Sequence, residues 1–364
     1  MYNPQDLAIY IHWPFCKSKC PYCDFYKEVN PRVNQDDIVA EYEDALQKYQ
    51  ELLPQRTIKS IFFGGGTPSL LTPQNVAKII DKIIGLWSIA DNIEISLEAN
   101  PNTHYQTMFK DLKLAGINRL SLGVQSLNDD NLRFLGRTHN AATAKMCLEE
   151  IVKTFSNHSA DLIYALQLQK TSEWGKELEA LMAYKLKHIS LYQLTIEPNT
   201  VFFKHGIKAM DTEKAADLYN FTRDYLNDKG YEHYEVSNFA VKGCQSVHNL
   251  TYWQGGDYIG IGKSAHGRIF LNGKHYAAEY PFKHIALTAK ERAVELLLMG
   301  LRVKSGIDKN IFKQICGLDL LDVINVEKLQ YMKENSLLTE NITHLSATYN
   351  GFLLLDAITS ELII

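Results

Sequence analysis

The sequence predicts an α/β fold: an open, partial (β/α)6 barrel, then an irregular aromatic stretch and a smaller helical C-terminal unit. Up to about residue 194, short β-branched and aromatic runs alternate with longer segments of helical period, the pattern of βα units around a parallel sheet. Six strand candidates can be read, too few for a closed eight-stranded barrel. In such an architecture ligands are expected at the C-terminal ends of the strands.

The strand candidates span residues 7–12, 58–63, 93–98, 119–123, 161–166 and 188–194, and helix candidates lie near 35–53, 73–86, 105–115, 141–154 and 173–184. Thr72 is placed to cap the second helix, with Pro73 at its first position, where a missing N–H is no loss. Ala115-Gly116 offers a left-handed cap at the end of the third. Beyond Leu194 the pattern is irregular through 231–240 and 245–267, and from about Thr288 it is helical again, with 291–301 apolar on one face. The expected divisions are 1–210 for the barrel, 211–287 for an extension of it, and 288–364 for the C-terminal unit.

With 364 residues and 46% hydrophobic content, the chain can bury a full-sized core. The net charge of −4 comes without a run of like charges, so nucleic acid is not an expected partner and no polybasic membrane patch is present. No segment approaches the ~20 apolar residues of a membrane span, and residues 1–6 lack the features of a targeting signal. A soluble, cytoplasmic protein is expected.

Three of the six cysteines fall in Cys16-Lys17-Ser18-Lys19-Cys20-Pro21-Tyr22-Cys23, directly after the first strand candidate, so their thiols can converge. Cys147, Cys244 and Cys316 are isolated and read as small hydrophobes or incidental thiols. A C-x3-C-x2-C cluster without a fourth cysteine suits an iron–sulfur cubane with one iron left open. Two alternatives stand beside it: zinc, with His12 as a lone fourth ligand, and thiols without a metal.

Cys16, Cys20 and Cys23, with Tyr22 before the last cysteine, resemble the signature of the radical S-adenosylmethionine (radical SAM) superfamily. The resemblance implies a [4Fe–4S] cluster whose open iron is chelated by S-adenosylmethionine, and electron transfer that cleaves the sulfonium to a carbon radical. Gly64-Gly65-Gly66-Thr67-Pro68, read alone, is a turn; after this cysteine loop it is similar to the superfamily's glycine motif, which holds the methionyl amino group. Glu98 and Gln125, read alone, are strand-end polar residues. They match adenosylmethionine contacts in the family named next, as do Tyr10, Asp161 and Arg137, the last at a carboxylate-binding position.

Across nearly the whole chain the motif order resembles the coproporphyrinogen III oxidase-like family. The matching segments are Tyr10-Ile11-His12-Trp13-Pro14-Phe15-Cys16, Glu98-Ala99-Asn100-Pro101, Asp161-Leu162-Ile163-Tyr164 and Tyr234-Glu235-Val236-Ser237-Asn238-Phe239. The family holds radical decarboxylases of coproporphyrinogen III and heme chaperones. Phe25 stands where the decarboxylases have a further cysteine, and the first cluster cysteine is only residue 16, without their longer N-terminal extension. His248-Asn249-Leu250-Thr251-Tyr252-Trp253 matches a His-Asn-x-x-Tyr-Trp pattern that the chaperones associate with heme. Read from the residues alone, His248 is a buried histidine in an aromatic cluster and Trp253 is core.

The chaperone branch implies heme as cargo, with His248, Tyr252 and Trp253 as its contacts and no oxidase turnover. It implies heme-accepting respiratory proteins as partners and membrane association only through an acceptor. It further implies a homodimer linked to cluster and adenosylmethionine. Two stretches depart from the family. Relatives carry Gly-x-Pro-Gly-Gln where this chain reads Ala165-Leu166-Gln167-Leu168-Gln169, which removes a constrained turn, and residues 260–266 differ at their centre. Residues 288–364 look like the family's small helical, winged-helix-like domain; without a basic stripe, that unit is expected to serve packing or partner contact.

Overall fold

A computed structural model describes residues 3–30, 32–103, 105 and 107–364. Twelve strands form one sheet, which we number in chain order: β1 Asp6–Trp13, β2 Thr57–Gly65, β3 Ser88–Ala99, β4 Arg119–Gln125, β5 Asn157–Tyr164, β6 His188–Gln193, β7 Glu232–Glu235, β8 Asn238–Ala240, β9 Tyr258–Ile261, β10 His266–Leu271, β11 Lys274–Glu279 and β12 Lys283–Leu287. Their order is β12-β11-β10-β9-β1-β2-β3-β4-β5-β6-β8-β7. Strands β1 to β6 pair parallel in sequence order, which is the expected six-unit partial barrel. β9 adds a further parallel strand beside β1, and antiparallel strands continue the sheet at both ends.

The crossover helices form where the apolar period is helical and the caps are present. Gln35–Leu52 is capped by the Asn34 side chain and buries Val39, Tyr42, Leu46 and Tyr49 as a stripe at helical spacing. Pro73–Leu86 starts as expected: Thr72 accepts from the Asn75 N–H, and Pro73 occupies the first turn. The third helix is Met108–Leu114, shorter than expected, and Gly116 follows it with a φ of +106°. Gln106, inside that helix candidate, lies outside the described residues, as do Met1 and Tyr2 of the expected targeting-free N-terminus. Ala141–Thr154 and Thr171–Met182 complete the set.

Strand alternation gives the barrel two faces. On β2, Ile61 and Phe63 join the main core under the helices, whereas Ser60, Phe62 and Gly64 face the barrel interior. On β3, Ile95, Leu97 and Ala99 belong to the core, and Glu94, Ser96 and Glu98 alternate with them. Cys147 and Cys316 are buried apolar packing residues, while Cys244 is half-buried beside a smaller cluster.

The C-terminal unit pairs helices Ala289–Gly300, Lys309–Cys316, Val326–Glu334 and Leu355–Leu362 with a three-stranded antiparallel sheet of Ile307–Asp308, Leu338–Glu340 and His344–Ala347, a winged-helix-like arrangement. Among the described residues, two ion pairs tie it to the barrel: Arg302 to buried Glu235 at 2.6 Å, and Arg268 to Glu295 at 2.6 Å.

Leu46 is fully buried, and Thr72 holds one helix end. Leu46→Ala is therefore expected to destabilise by about 2–5 kcal/mol, and Thr72→Ala by about 1 kcal/mol. Urea-unfolding midpoints should rank in that order.

Candidate active site at the upper rim of the barrel

The C-terminal ends of β1 to β6 surround a cavity of about 480 Å3, within the range of small-molecule sites. Eleven residues singled out from the sequence line it: Cys16, Cys20, Tyr22, Cys23, Gly65, Gly66, Thr67, Glu98, Gln125, Arg137 and Asp161. Tyr10 and Gly64 lie just below, where a Cβ on Gly64 would sit 2.8 Å from the Tyr10 ring.

The cysteine loop leaves β1 at Trp13 and is anchored by a short parallel pairing of Phe15–Cys16 with Glu28–Val29. Donors converge on its sulfurs. The Thr67 hydroxyl donates to Cys16 Sγ at 3.4 Å, and Arg137 Nη1 donates to Cys20 Sγ and to the Tyr22 hydroxyl, each at 3.3 Å. Burial raises the Cys16 pKa, and the Thr67 hydrogen bond opposes that rise. Hydrogen bonds of this kind favour thiolates, the form in which cysteine binds metal.

The donor set fits a cubane and not a single zinc ion. Among the described residues, no group of three His, Cys, Asp or Glu side chains is arranged to hold one metal ion. A cubane makes no such demand, since each thiolate binds a different iron. His12 is also committed elsewhere: its Nδ1 is 3.0 Å from the Tyr10 hydroxyl and its Nε2 3.3 Å from the Tyr26 carbonyl.

Gly65 and Gly66 are both required by space, and Gly65 by conformation as well. Gly65 has a φ of +109°, and a Cβ there would lie 2.7 Å from the His12 ring; on Gly66 it would lie 2.7 Å from the Pro14 backbone. The Gly65 N–H reaches the Glu98 carboxylate, which burial and the neighbouring Asp161 push up to about 8. Asp161 is itself raised to about 6 by burial, although the Ser121 hydroxyl bonds its carboxylate at 2.9 Å. Gln125 holds a left-handed φ of +65° at the end of β4, a strained position of the kind found at ligand sites. Ala165 likewise has a φ of +57°, the conformation that a glycine there would adopt at less cost, so the turn survives its altered sequence.

Sequence reasoning missed Tyr192 and Gln193 at the end of β6, and Asn102 and Thr138, all of which line this cavity. The signal was available for the first two, since β6 is a barrel strand and its C-terminal end lies at the same rim. Phe25 lines the cavity too, and is 66% exposed.

His248, Tyr252 and Trp253 are not brought to this rim. They lie on the helix Val247–Trp253, which closes the opposite end of the barrel. Glu94, at the lower end of β3, accepts from the backbone N–H groups of Val247 and His248 at 3.2 and 3.1 Å, a carboxylate at a helix N-terminus. His248 Nδ1 is 3.0 Å from the Ser60 hydroxyl, its ring stacks on Phe62 at 5.0 Å, and burial lowers its pKa to about 3. His248 is therefore neutral at any ordinary pH. Tyr252 packs against both His248 and Trp253.

The raised carboxyl pKa values have a consequence for the protein without its cofactors. Glu98 is ordinarily half-ionised near 4.5, and in the fold near 8. Its contribution to stability is thus complete below the lower value and is lost as pH rises through the upper one. The unfolding midpoint should fall between about pH 4.5 and about pH 8, and Glu98→Gln, neutral throughout, should flatten that fall.

Comparison with known proteins fits this geometry. The radical SAM superfamily profile matches residues 10–181, and the HemN C-terminal domain profile matches residues 287–354. The heme chaperone HemW of Haemophilus influenzae is 36% identical over 96% of this chain and 96% of its own length. The mitochondrial radical S-adenosyl methionine domain-containing protein 1 of Bos taurus is 34% identical, over 99% of this chain and 88% of its own. The structure of coproporphyrinogen III oxidase (HemN) from Escherichia coli, described as a radical SAM enzyme, superposes with a TM-score of 0.82 over 98% of this chain and 89% of that one, at 21% identity. That likeness concerns the fold, whereas the sequence relatives share identity along nearly the full length. The chain belongs to the HemW family of radical SAM proteins.

Proposed function

We propose that this protein is a heme chaperone that binds a [4Fe–4S] cluster and S-adenosylmethionine at the upper rim and carries heme to acceptor proteins, respiratory hemoproteins in particular. The observation that carries the reading is the convergence of three thiols, a glycine cradle and two half-buried carboxyls in one cavity, in a chain related to HemW along nearly its whole length.

Cys16, Cys20 and Cys23 would hold the cluster, which supplies one-electron chemistry toward adenosylmethionine when reduced. The chain's own residues do the rest. Gly65 and Gly66 let a ligand approach the backbone closely, and Arg137 presents a planar cation beside Cys20, suited to a carboxylate. Glu98, protonated below about 8, can donate a hydrogen bond to a ligand hydroxyl where an ionised carboxylate could only accept. Arg137 donates to the Cys20 sulfur and Thr67 to the Cys16 sulfur, where the hydrogen bond opposes the rise that burial imposes.

Two features favour carriage over decarboxylation of coproporphyrinogen III. Phe25 supplies no further thiol to the cavity it lines, and bacterial sequence relatives such as that of Haemophilus influenzae are heme chaperones, while the oxidase shares the fold. No described helix is long and apolar enough to cross a membrane. The proposal extends to a cytoplasmic carrier that meets membrane-bound acceptors at the surface, as a homodimer when loaded with its cofactors.

The anaerobically reconstituted protein should take up heme and pass it to an apo-acceptor, while releasing no carbon dioxide from coproporphyrinogen III. Decarboxylation over many turnovers would replace this reading with the oxidase. Cys20→Ala should eliminate the brown chromophore and the bound iron and sulfide while circular dichroism stays unchanged; retained iron and sulfide would sink the assignment of the cluster.

A further inference from the structure

The lower end of the barrel carries a second cavity, of about 520 Å3, between the outer face of the helix Val247–Trp253 and the C-terminal unit. Its walls are apolar where Leu250, Trp253, Leu296, Ile311, Phe312 and Ile315 meet. Nothing in the chemistry proposed for the upper rim uses it.

His344, at the start of the strand His344–Ala347, stands in the wall of this cavity. Its local hydrogen bonds fix which ring nitrogen is free. Asn341 Oδ1 accepts from the backbone N–H groups of Thr343 and His344 at 2.8 and 2.7 Å, and is therefore the oxygen of that amide. The Thr343 hydroxyl donates to the same oxygen at 3.1 Å, so its proton is committed. His344 Nδ1, 2.9 Å from the Thr343 hydroxyl oxygen, must then be the donor in that contact. In the neutral ring this leaves Nε2 with its lone pair unused, 3.9 Å from Asp308 and too far for a hydrogen bond. An imidazole whose Nδ1–H is pinned by a second group is the usual form of a metal-ligating histidine.

The acidic groups around the cavity have partners of their own, although Asp257 Oδ1 has none. Asp257 pairs with Arg56 at 2.8 Å, Asp6 lies 3.7 Å from Lys59, and Asp308 accepts from the N–H groups of Asn310 and Ile311 at 2.9 and 3.1 Å. Lys59, half-exposed in the same wall, can serve an incoming carboxylate by exchanging its long contact with Asp6.

We propose that this lower cavity is the cargo site and takes heme, with His344 Nε2 as an axial ligand to the iron. The inference rests on the heme-carrier reading and deepens it. The required ligand is large, apolar and flat enough to lie on an indole, bears a metal that accepts one imidazole, and has carboxylates for the rim; an iron porphyrin meets all of these demands. The motif His-Asn-x-x-Tyr-Trp then contributes through its outer face, with Trp253 in the cavity wall. His248 acts from behind as a positioning residue, because Ser60 and Phe62 hold its neutral ring inside the barrel and so fix the helix that carries Trp253. The cargo would thus lie at the end of the barrel opposite the cysteines.

The test is a heme titration of the full-length, cluster-reconstituted protein, followed by Soret absorbance and by the low-temperature spectroscopic signature of histidine ligation. His344→Ala should weaken heme binding at least about tenfold and remove the histidine signature, with iron and sulfide content unchanged. Thr251→Trp, which fills the cavity while leaving His344 in place, should weaken uptake by a similar factor. If both variants bind heme like the unmodified protein, the site is wrong while the carrier reading stands. If the unmodified protein takes up no heme, the carrier reading and this site fall together.

Discussion

Each parallel strand of this barrel must satisfy two different neighbours, and that constraint organises the rest of the molecule. One face meets the crossover helices and has to be apolar; the other meets the barrel interior and can be polar only where a partner is supplied. The strand β3 shows the outcome on a single face. Glu94 at its lower end holds the helix Val247–Trp253 through two backbone N–H groups, and Glu98 four residues above it enters the cavity beneath Gly65. At about 3.3 Å per residue their backbone positions are roughly 13 Å apart along one strand, so the two ends of the barrel share one strand.

The two carboxyls have different surroundings. Glu94 receives backbone donors and lies 3.8 Å from Arg119. Glu98 has the Gly65 N–H but is buried beside Asp161, an environment that favours the neutral acid. The same residue type therefore serves structure at one end and ligand chemistry at the other. The upper rim is built from short segments after β1 to β6 that approach one another closely, which is why glycines are forced at Gly65 and Gly66.

Much of this was legible in the sequence because the signals were local. The runs at residues 58–63 and 93–98 have the β-branched and aromatic content of buried strands, and Thr72-Pro73 marks a helix start that the structure reproduces. The cysteine spacing and the glycines carry their chemistry within a few residues of each other. What escaped depends on partners far along the chain. The sequence reading starts β5 at Asp161, yet the strand begins at Asn157, where His158 and Ser159 are buried and Ser159 bonds His188 at 2.8 Å. The strands β7 to β12 are short and, apart from β9, antiparallel, so their pairing follows from tertiary contacts and not from any run of their own. Glu94 looks like a surface residue until the helix it caps arrives from about 150 positions later.

The central claim is that Cys16, Cys20 and Cys23 would hold a cubane that leaves one iron open to a ligand. The measurement that tests it most directly is the electron paramagnetic resonance spectrum of the reduced, reconstituted protein with and without S-adenosylmethionine. The account predicts a [4Fe–4S]+ signal whose g values shift when adenosylmethionine is added, as a ligand joins the open iron. A spectrum unchanged by adenosylmethionine, from protein with full iron and sulfide content, would contradict it.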